Sequence, residues 1–594
     1  MNKARRKTNR RGTAKRLVSE SLVLSCTRFV SSRIVRFFEH GIGSVMLRTA
    51  EKTDSFASEK ISGPLLKKIG FRKSFSMPAR NAVASFFTNN PFFKMIALMR
   101  NALLNTSLRT VGIFLLTFGV YASSIFALKN YVSLTLGATA SIDDVSVGAI
   151  CVLIGLLLTA FGEKSIMNAL GNSRTVGVLL SNCLGVNDSS VERYAASASG
   201  TAIGFGFLCG SLFGITTLFF PPIRVLLFLL ALLVTAAIFH IPEFGILLAA
   251  AIFSFVPTGA VATVIAVTFV SYLIKCIRLK RNFRFGSADV LVLVLAVVLA
   301  ISFFASEGSL ANGEYYILCF IAAYFLAKNL LCSEKLVIQT FNALCTGLSF
   351  GMALYILGDF AHLISHPYLR EAAAFICANR VNADILALLT VCLLPFALSS
   401  FAKGSERKPR KWFLVLTVAS AFVIDSVTFY VMIPVALFAY IATVYKAPVG
   451  ALLGAAAVIP NVYFIAADYA RSSAVELGAK TLYDSALNGN AGELVSVNFW
   501  GGMYSIGGAV GAVIFVLALL LILQRVFRFA ITGGTKNMRL GGTVAASTVI
   551  MLAGTFLFNP FADLRSVFVI WFVLGLCGSV YSVLLKNTKG IREV

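Results

Sequence analysis

Charge is scarce in this chain: of 594 residues only 13% are Asp, Glu, Lys or Arg, while 58% are hydrophobic. No aqueous core could cover that much apolar surface, so an ordinary water-soluble protein is excluded. Acidic residues are scarcer still, 26 against 52 Lys and Arg, for a net charge of +26. A nucleic-acid binder can carry such an excess, but here the cations gather in the N-terminal tail and in short segments between apolar runs. That is the positive-inside distribution of a membrane protein, and no nucleic-acid partner is expected. None of the 11 cysteines forms a C-x-x-C pair, and Cys151, Cys209, Cys276, Cys319, Cys345, Cys392 and Cys577 sit in apolar runs. They read as small buried hydrophobes, not as metal or redox groups. Cys377 alone falls in an expected outer loop, so no disulfide is expected there. The N-terminus lacks the apolar core and small-residue site of a cleavable signal peptide. No internal repeat is evident, so the inverted-repeat signature of many secondary transporters is missing.

What is present is a series of apolar runs of roughly 17 to 22 residues, the length a helix needs to cross hydrocarbon. The expected fold is all-α: a polytopic transmembrane bundle of about sixteen spans, within a range of about 14–16, with both termini cytoplasmic. Residues 1–109 form a basic cytoplasmic region with an amphipathic stretch from Leu17 to Phe38. Lying against anionic lipid is its expected role, with a nucleic-acid or partner-binding arm as the alternative. Residues 110–239 read as an N-terminal transmembrane extension and 240–594 as the main transmembrane domain. Expected spans lie near 110–128, 145–162, 201–219, 223–239, 244–256, 258–276, 287–304, 315–331, 337–357, 383–400, 412–424, 427–445, 449–465, 503–523, 541–558 and 566–585. In this reading the basic clusters at Lys275 to Arg284, Lys403 to Lys411, Arg525 with Arg528, and Lys586 to Arg592 all fall inside. Two main outer loops remain, 358–382 and 466–502, and the usable polar chemistry is concentrated in them.

The first loop carries Asp359, His362, His366, Arg370, Glu371, Arg380, Asn382 and Asp384. His362 and His366 would share a face if helical, yet without H-E-x-x-H or a third ligand no metal is expected. They read as interfacial residues or as groups for proton transfer or anion binding. Arg370 and Arg380 run against the positive-inside bias, and a guanidinium can grip a diphosphate through paired N–H donors. Pairing with Glu371 or Asp384, or snorkelling to lipid phosphate, is the plainer alternative. The second loop offers Asp468, Arg471, Asn498 and Trp500, among other polar residues. Arg471, close to the membrane exit, is a second candidate anion contact, while Trp500 fits an interfacial anchor. Glycines 501, 502, 507, 508 and 511 follow, suited to close approach of substrate or of a neighbouring helix. Asp425 with Ser426 at a span junction is a further acidic candidate, or a simple helix cap.

Three segments carry a resemblance. S-V-N-F-W-G-G-M-Y-S-I-G-G-A-V-G-A-V-I-F-V-L-A-L-L-L-I-L (496–523), N-P-F-A-D-L-R-S-V-F-V-I-W-F-V-L-G-L-C-G (559–578) and A-N-R-V-N-A-D-I-L-A-L-L (378–389) are similar to the loop end, last turn and Asn-bearing segment of the O-antigen ligase and polysaccharide polymerase family. The resemblance covers roughly 240–590. It implies a bacterial inner-membrane glycosyltransferase without cofactor, working at the outer face in cell-surface polysaccharide assembly. Such an enzyme moves a glycan from a polyprenyl diphosphate to an acceptor hydroxyl. Two departures stand out. The family's Ser-Arg-Gly segment is Asp425-Ser426-Val427 here, and the His before the loop-end Asn is Val497 before Asn498. Arg380, Arg471 and Arg370 are therefore expected to hold the diphosphate, and His366 or His362 to serve near the acceptor hydroxyl. Asn382, Asp468, Asn498 and Trp500 are the further substrate contacts. The alternatives are a transporter or flippase of a lipid-linked glycan and a non-catalytic scaffold. A transporter would carry membrane-embedded charges in several spans, and these spans read as nearly free of them.

Overall fold

The structure, a computed structural model, describes residues 106–131, 142–160, 203–277, 283–305, 315–363, 380–398, 408–424, 499–532, 536–555 and 563–592, with isolated positions between them. Among these residues the chain is all helical and no strand occurs. Fourteen α-helices follow in order: α1 Leu108–Tyr131, α2 Ile142–Ala160, α3 Ile203–Thr216, α4 Pro222–His240, α5 Pro242–Ile252, α6 Thr258–Ile277, α7 Ser287–Ala305, α8 Tyr316–Leu330, α9 Glu334–Phe360, α10 Ala383–Leu398, α11 Lys408–Val423, α12 Phe499–Thr532, α13 Lys536–Thr555 and α14 Leu564–Arg592. A 3₁₀ turn, Ala361–Leu363, continues α9. The expected spans 427–445 and 449–465 fall on segments largely or wholly outside the described residues.

Five of the helices are long and apolar enough to cross a membrane: α1, α4, α6, α9 and α14. The other nine carry shorter apolar stretches among the described residues. Helices are the expected solution in hydrocarbon, because each unpaired peptide group there costs several kcal/mol and a helix pairs them within itself. Leu208, Leu212, Leu227 and Phe228 are more than half exposed on α3 and α4. Side chains of that kind in contact with water would form an aggregating surface, whereas lipid tails solvate them. The apolar helices are therefore those of a membrane protein.

The chain divides into two compact units. The smaller comprises residues 75–248 and 270–281, and α1 to α4 form most of its described part. Its helices meet through glycine. Gly112 and Gly119 of α1 lie seven residues apart, as do Gly148 and Gly155 of α2. A Cβ at Gly119 would stand 2.6 Å from the Gly148 carbonyl oxygen, so the two backbones touch directly. On α3, Gly206, Gly210 and Gly214 recur every fourth residue and face Thr110, Thr117 and Tyr121 of α1. In lipid no water is released when helices associate, so close backbone approach and van der Waals contact supply the attraction.

The larger unit comprises residues 1–74, 249–269 and 282–594. Its centre is α14, which packs against α8, α12 and α13. The apolar span of α14 is 83% buried. Phe568 of α14 meets Phe253 and Phe320 at ring separations of 6.0 and 5.8 Å. Trp571 meets Tyr324 and Phe515 at 6.4 and 5.7 Å. Gly575 lies directly on the backbone of Tyr324, which lets α8 and α14 close on each other.

One element departs from the expected regular span. α12 is broken at Gly508, where φ is 63° and ψ −171°. Only glycine takes that conformation without strain, so the helix after the 466–502 loop is two rods joined at a glycine.

The glycine seam of the smaller unit gives a test. A side chain at Gly210 would overlap Thr117, whereas one at Gly204 meets nothing within 4 Å. Gly210→Leu is expected to cost about 1–3 kcal/mol through overpacking, and Gly204→Leu to leave stability unchanged. Thermal unfolding of the purified protein in micelles measures both, and equal melting temperatures for the two variants would refute the seam.

Candidate functional site

The polar side chains of the larger unit that gather several elements lie at helix ends. Asp563 caps α14: its carboxylate accepts the Arg565 backbone N–H at 3.0 Å, satisfying one of the donors a helix leaves open at its start. The same carboxylate holds the Arg565 side chain. Nε donates to Oδ1 and Oδ2 at 2.8 and 3.0 Å, and Nη2 donates to Oδ2 at 2.6 Å. The rest of the guanidinium reaches out of the pair. Nη1 donates to the Val256 carbonyl at 3.4 Å and Nη2 to the Arg380 carbonyl at 3.2 Å. The turn after α5, the segment leading into α10 and the start of α14 are thereby joined at one side chain. Arg565 and Asp563 are only 10% and 9% exposed.

Arg380 itself is held differently. Its guanidinium carbon lies 4.3 Å from the centre of the Tyr355 ring, and Nη1 is 3.3 Å from Asp359 Oδ1. A Cβ at Gly358 would come within 2.7 Å of the same Nη1, so glycine leaves the room the cation occupies. Tyr355, Gly358 and Asp359 stand at i, i+3 and i+4, one face of the last turn of α9. Arg380 thus lies across the negative end of that helix, where the macrodipole, an aromatic face and a carboxylate all favour a cation. Its side chain remains 36% exposed and Asp359 37%. Among the described residues the guanidinium makes one hydrogen bond, which leaves most of its N–H groups directed elsewhere.

A second cluster is buried between α7 and α8. Asp289, wholly buried, accepts the Tyr324 hydroxyl on Oδ1 at 2.7 Å and the Gly286 N–H on Oδ2 at 2.5 Å. Lys328 donates to Oδ2 as well, and its stem packs on Gly578 of α14. Asn329 beside it accepts the Arg284 N–H at 2.7 Å. Asp289 occupies the third position of α7 and returns a bond to the N-cap, the acidic half of a capping box. The expected spans 287–304 and 315–331, read as nearly free of charge, therefore hold a buried ion pair.

Of the expected site residues, Arg380 is placed in this geometry with Asp359 as its carboxylate partner, while Glu371 lies outside the described residues. Asn382 is the N-cap of α10: its Oδ1 accepts the Asp384 N–H at 3.0 Å and its carbonyl the Leu386 N–H at 2.8 Å. Arg370 is exposed, at an isolated described position. Trp500 opens α12, packed against Phe499 and Phe515 at 6.1 and 5.7 Å. His362 falls in the 3₁₀ turn without a described side chain. His366, Asp468, Arg471 and Asn498 lie outside the described residues, as do Asp425 and Ser426. Among the described residues no three His, Cys, Asp or Glu side chains group as metal ligands would. The nine described cysteines form no disulfide, and Cys377 is buried with its thiol donating to the Leu354 carbonyl at 3.2 Å.

Sequence reasoning passes over Asp563, Arg565, Asp289 and Lys328 as functional candidates. The last two had a signal, a charge inside an apolar run. No known family model, curated protein or solved structure matches the chain.

The contrast between the two arginines is measurable as stability. Removing one partner of the buried pair, by Arg565→Ala or Asp563→Ala, is expected to cost about 3 kcal/mol, because the other charge stays behind in a poorly solvated place. Arg380→Ala breaks a solvent-screened pair and is expected to cost under about 1 kcal/mol. Denaturant titration in micelles distinguishes them, and equal losses would contradict the assignment of Arg565 as the structural member.

Proposed function

We propose that the chain is a membrane glycosyltransferase of the ligase or polymerase kind. In this reading it moves a glycan from a polyprenyl diphosphate to an acceptor hydroxyl at the outer face of the bacterial inner membrane. About sixteen spans, within a range of about 14–16, carry the chain with both termini cytoplasmic, and it works without metal or cofactor. The observation that carries the reading is Arg380: a guanidinium about one third exposed, fixed from behind and hydrogen-bonded once among the described residues. The alternation of basic clusters puts Val256, Arg380 and Arg565 on the same, outer side, and the Arg565 bonds to both carbonyls accord with it.

The chemistry follows from where charge develops. The acceptor oxygen attacks the anomeric carbon, the bond from that carbon to the diphosphate oxygen breaks, and the electron pair leaves with the diphosphate. Fixed cationic donors lower that barrier because they meet a charge larger in the transition state than in the bound donor. Arg380 is the first such donor, with Arg471 and Arg370 as the further candidates. His366, or His362, takes the proton of the acceptor hydroxyl. Asn382, Asp468, Asn498 and Trp500 orient the sugar and the lipid, with Asn382 limited to what its helix-cap role leaves available.

The second reading, transport of a lipid-linked glycan without covalent chemistry, is favoured by one observation. The Asp289–Lys328 pair is an ionisable group inside membrane helices, the feature that marks ion and substrate paths.

One reconstitution separates the two. Protein in lipid with a polyprenyl-diphosphate glycan and an acceptor is expected to form product, falling about 10–100-fold in Arg380→Ala. Unchanged product in the Arg380, Arg471 and Arg370 variants would sink the diphosphate grip. Donor crossing the bilayer without product, and stopping in Lys328→Met, would replace the first reading with the second.

A further inference from the structure

The Arg380 site carries its own anion. Asp359 meets the guanidinium through one 3.3 Å contact, not a paired one, and both side chains are more than one third exposed. Asp563, by contrast, grips Arg565 through three bonds of 2.6 to 3.0 Å in near-complete burial. The first contact is single and open to solvent, the second multiple and covered. When the Asp359 carboxylate turns away, Arg380 still has the Tyr355 ring and the negative end of α9 behind it, so the cation keeps its place. Asp359 sits one residue from the end of α9, where solvent reaches its side chain.

We infer that Asp359 is a built-in competitor for Arg380, and that a lipid-borne phosphate binds by exchanging with its carboxylate. This rests on the reading of Arg380 as the diphosphate contact. Two consequences follow from charge alone. A membrane surface is crowded with phospholipid phosphates, and a resident carboxylate keeps them from filling the cation. A leaving diphosphate is repelled by the same carboxylate, so release is hastened. Repulsion grows with ligand charge, so Asp359 weakens a diphosphate more than a monophosphate.

The test is binding of polyprenyl diphosphate and polyprenyl monophosphate to the full chain in nanodiscs of neutral lipid. Asp359→Asn is expected to lower the diphosphate Kd about fivefold, the scale of an exposed ion pair, mainly through slower dissociation. The monophosphate Kd falls less. Asp359→Glu, which keeps the charge, stays near the parent protein, whereas Arg380→Gln loses most binding of both lipids. Unchanged or weaker diphosphate binding in Asp359→Asn, with Arg380→Gln still defective, would overturn the competitor role and leave the grip standing. Parent-like binding in Arg380→Gln would overturn the grip itself. Inorganic diphosphate at the same concentration is expected not to displace the lipid; full displacement would assign the site to a free phosphate and overturn the lipid-borne part.

Discussion

A helix surrounded by lipid gains little by exchanging lipid tails for another helix, and the packing of both units depends on that constraint. With no water to expel, attraction must come from close fit and from polar groups that hydrocarbon cannot satisfy. The smaller unit uses the first device, glycines that let α1 meet α2 and α3 at backbone distance. The larger unit adds the second. Arg565 fixes three helix ends through one guanidinium, and Asp289 with Lys328 pins α7 to α8 at their opposite ends.

The same constraint sorts the arginines by fate. A guanidinium under cover must have its charge met and its donors engaged, and Arg565 commits most of its N–H groups to Asp563 and two carbonyls. Such a side chain holds structure and has little left to offer a ligand. Arg380, a third exposed, is steadied by an aromatic face and a helix end that consume no N–H donors. Donors left over are what an anion needs. Neither side chain's identity distinguishes these roles; burial does.

Helix positions were largely legible in the residues, since the length of an apolar run decides whether a helix forms there. α7, expected at 287–304, spans Ser287–Ala305, and α8, expected at 315–331, spans Tyr316–Leu330. The break at Gly508 was half legible: glycines clustered there, but which one carries a positive φ depends on how the two rods pack. Asn382 was read as a substrate contact from a resemblance, and its local role as a helix cap follows from the Asp384 and Leu386 amides beyond it. The carbonyl partners of Arg565 were not legible at all. Its carbonyl acceptors lie 309 and 185 residues away, and a backbone carbonyl leaves no mark in a sequence.

By itself the sequence determined the class of solvent, the all-helical backbone and the placing of most helices, because hydropathy and peptide hydrogen bonding act over one span at a time. Tertiary structure decided which charges are covered and which stay open. It paired Arg380 with Asp359, buried Arg565 on Asp563, and closed Lys328 onto Asp289. Those choices arise where ends of helices distant in the chain converge, and local composition carries no information about which ends will meet.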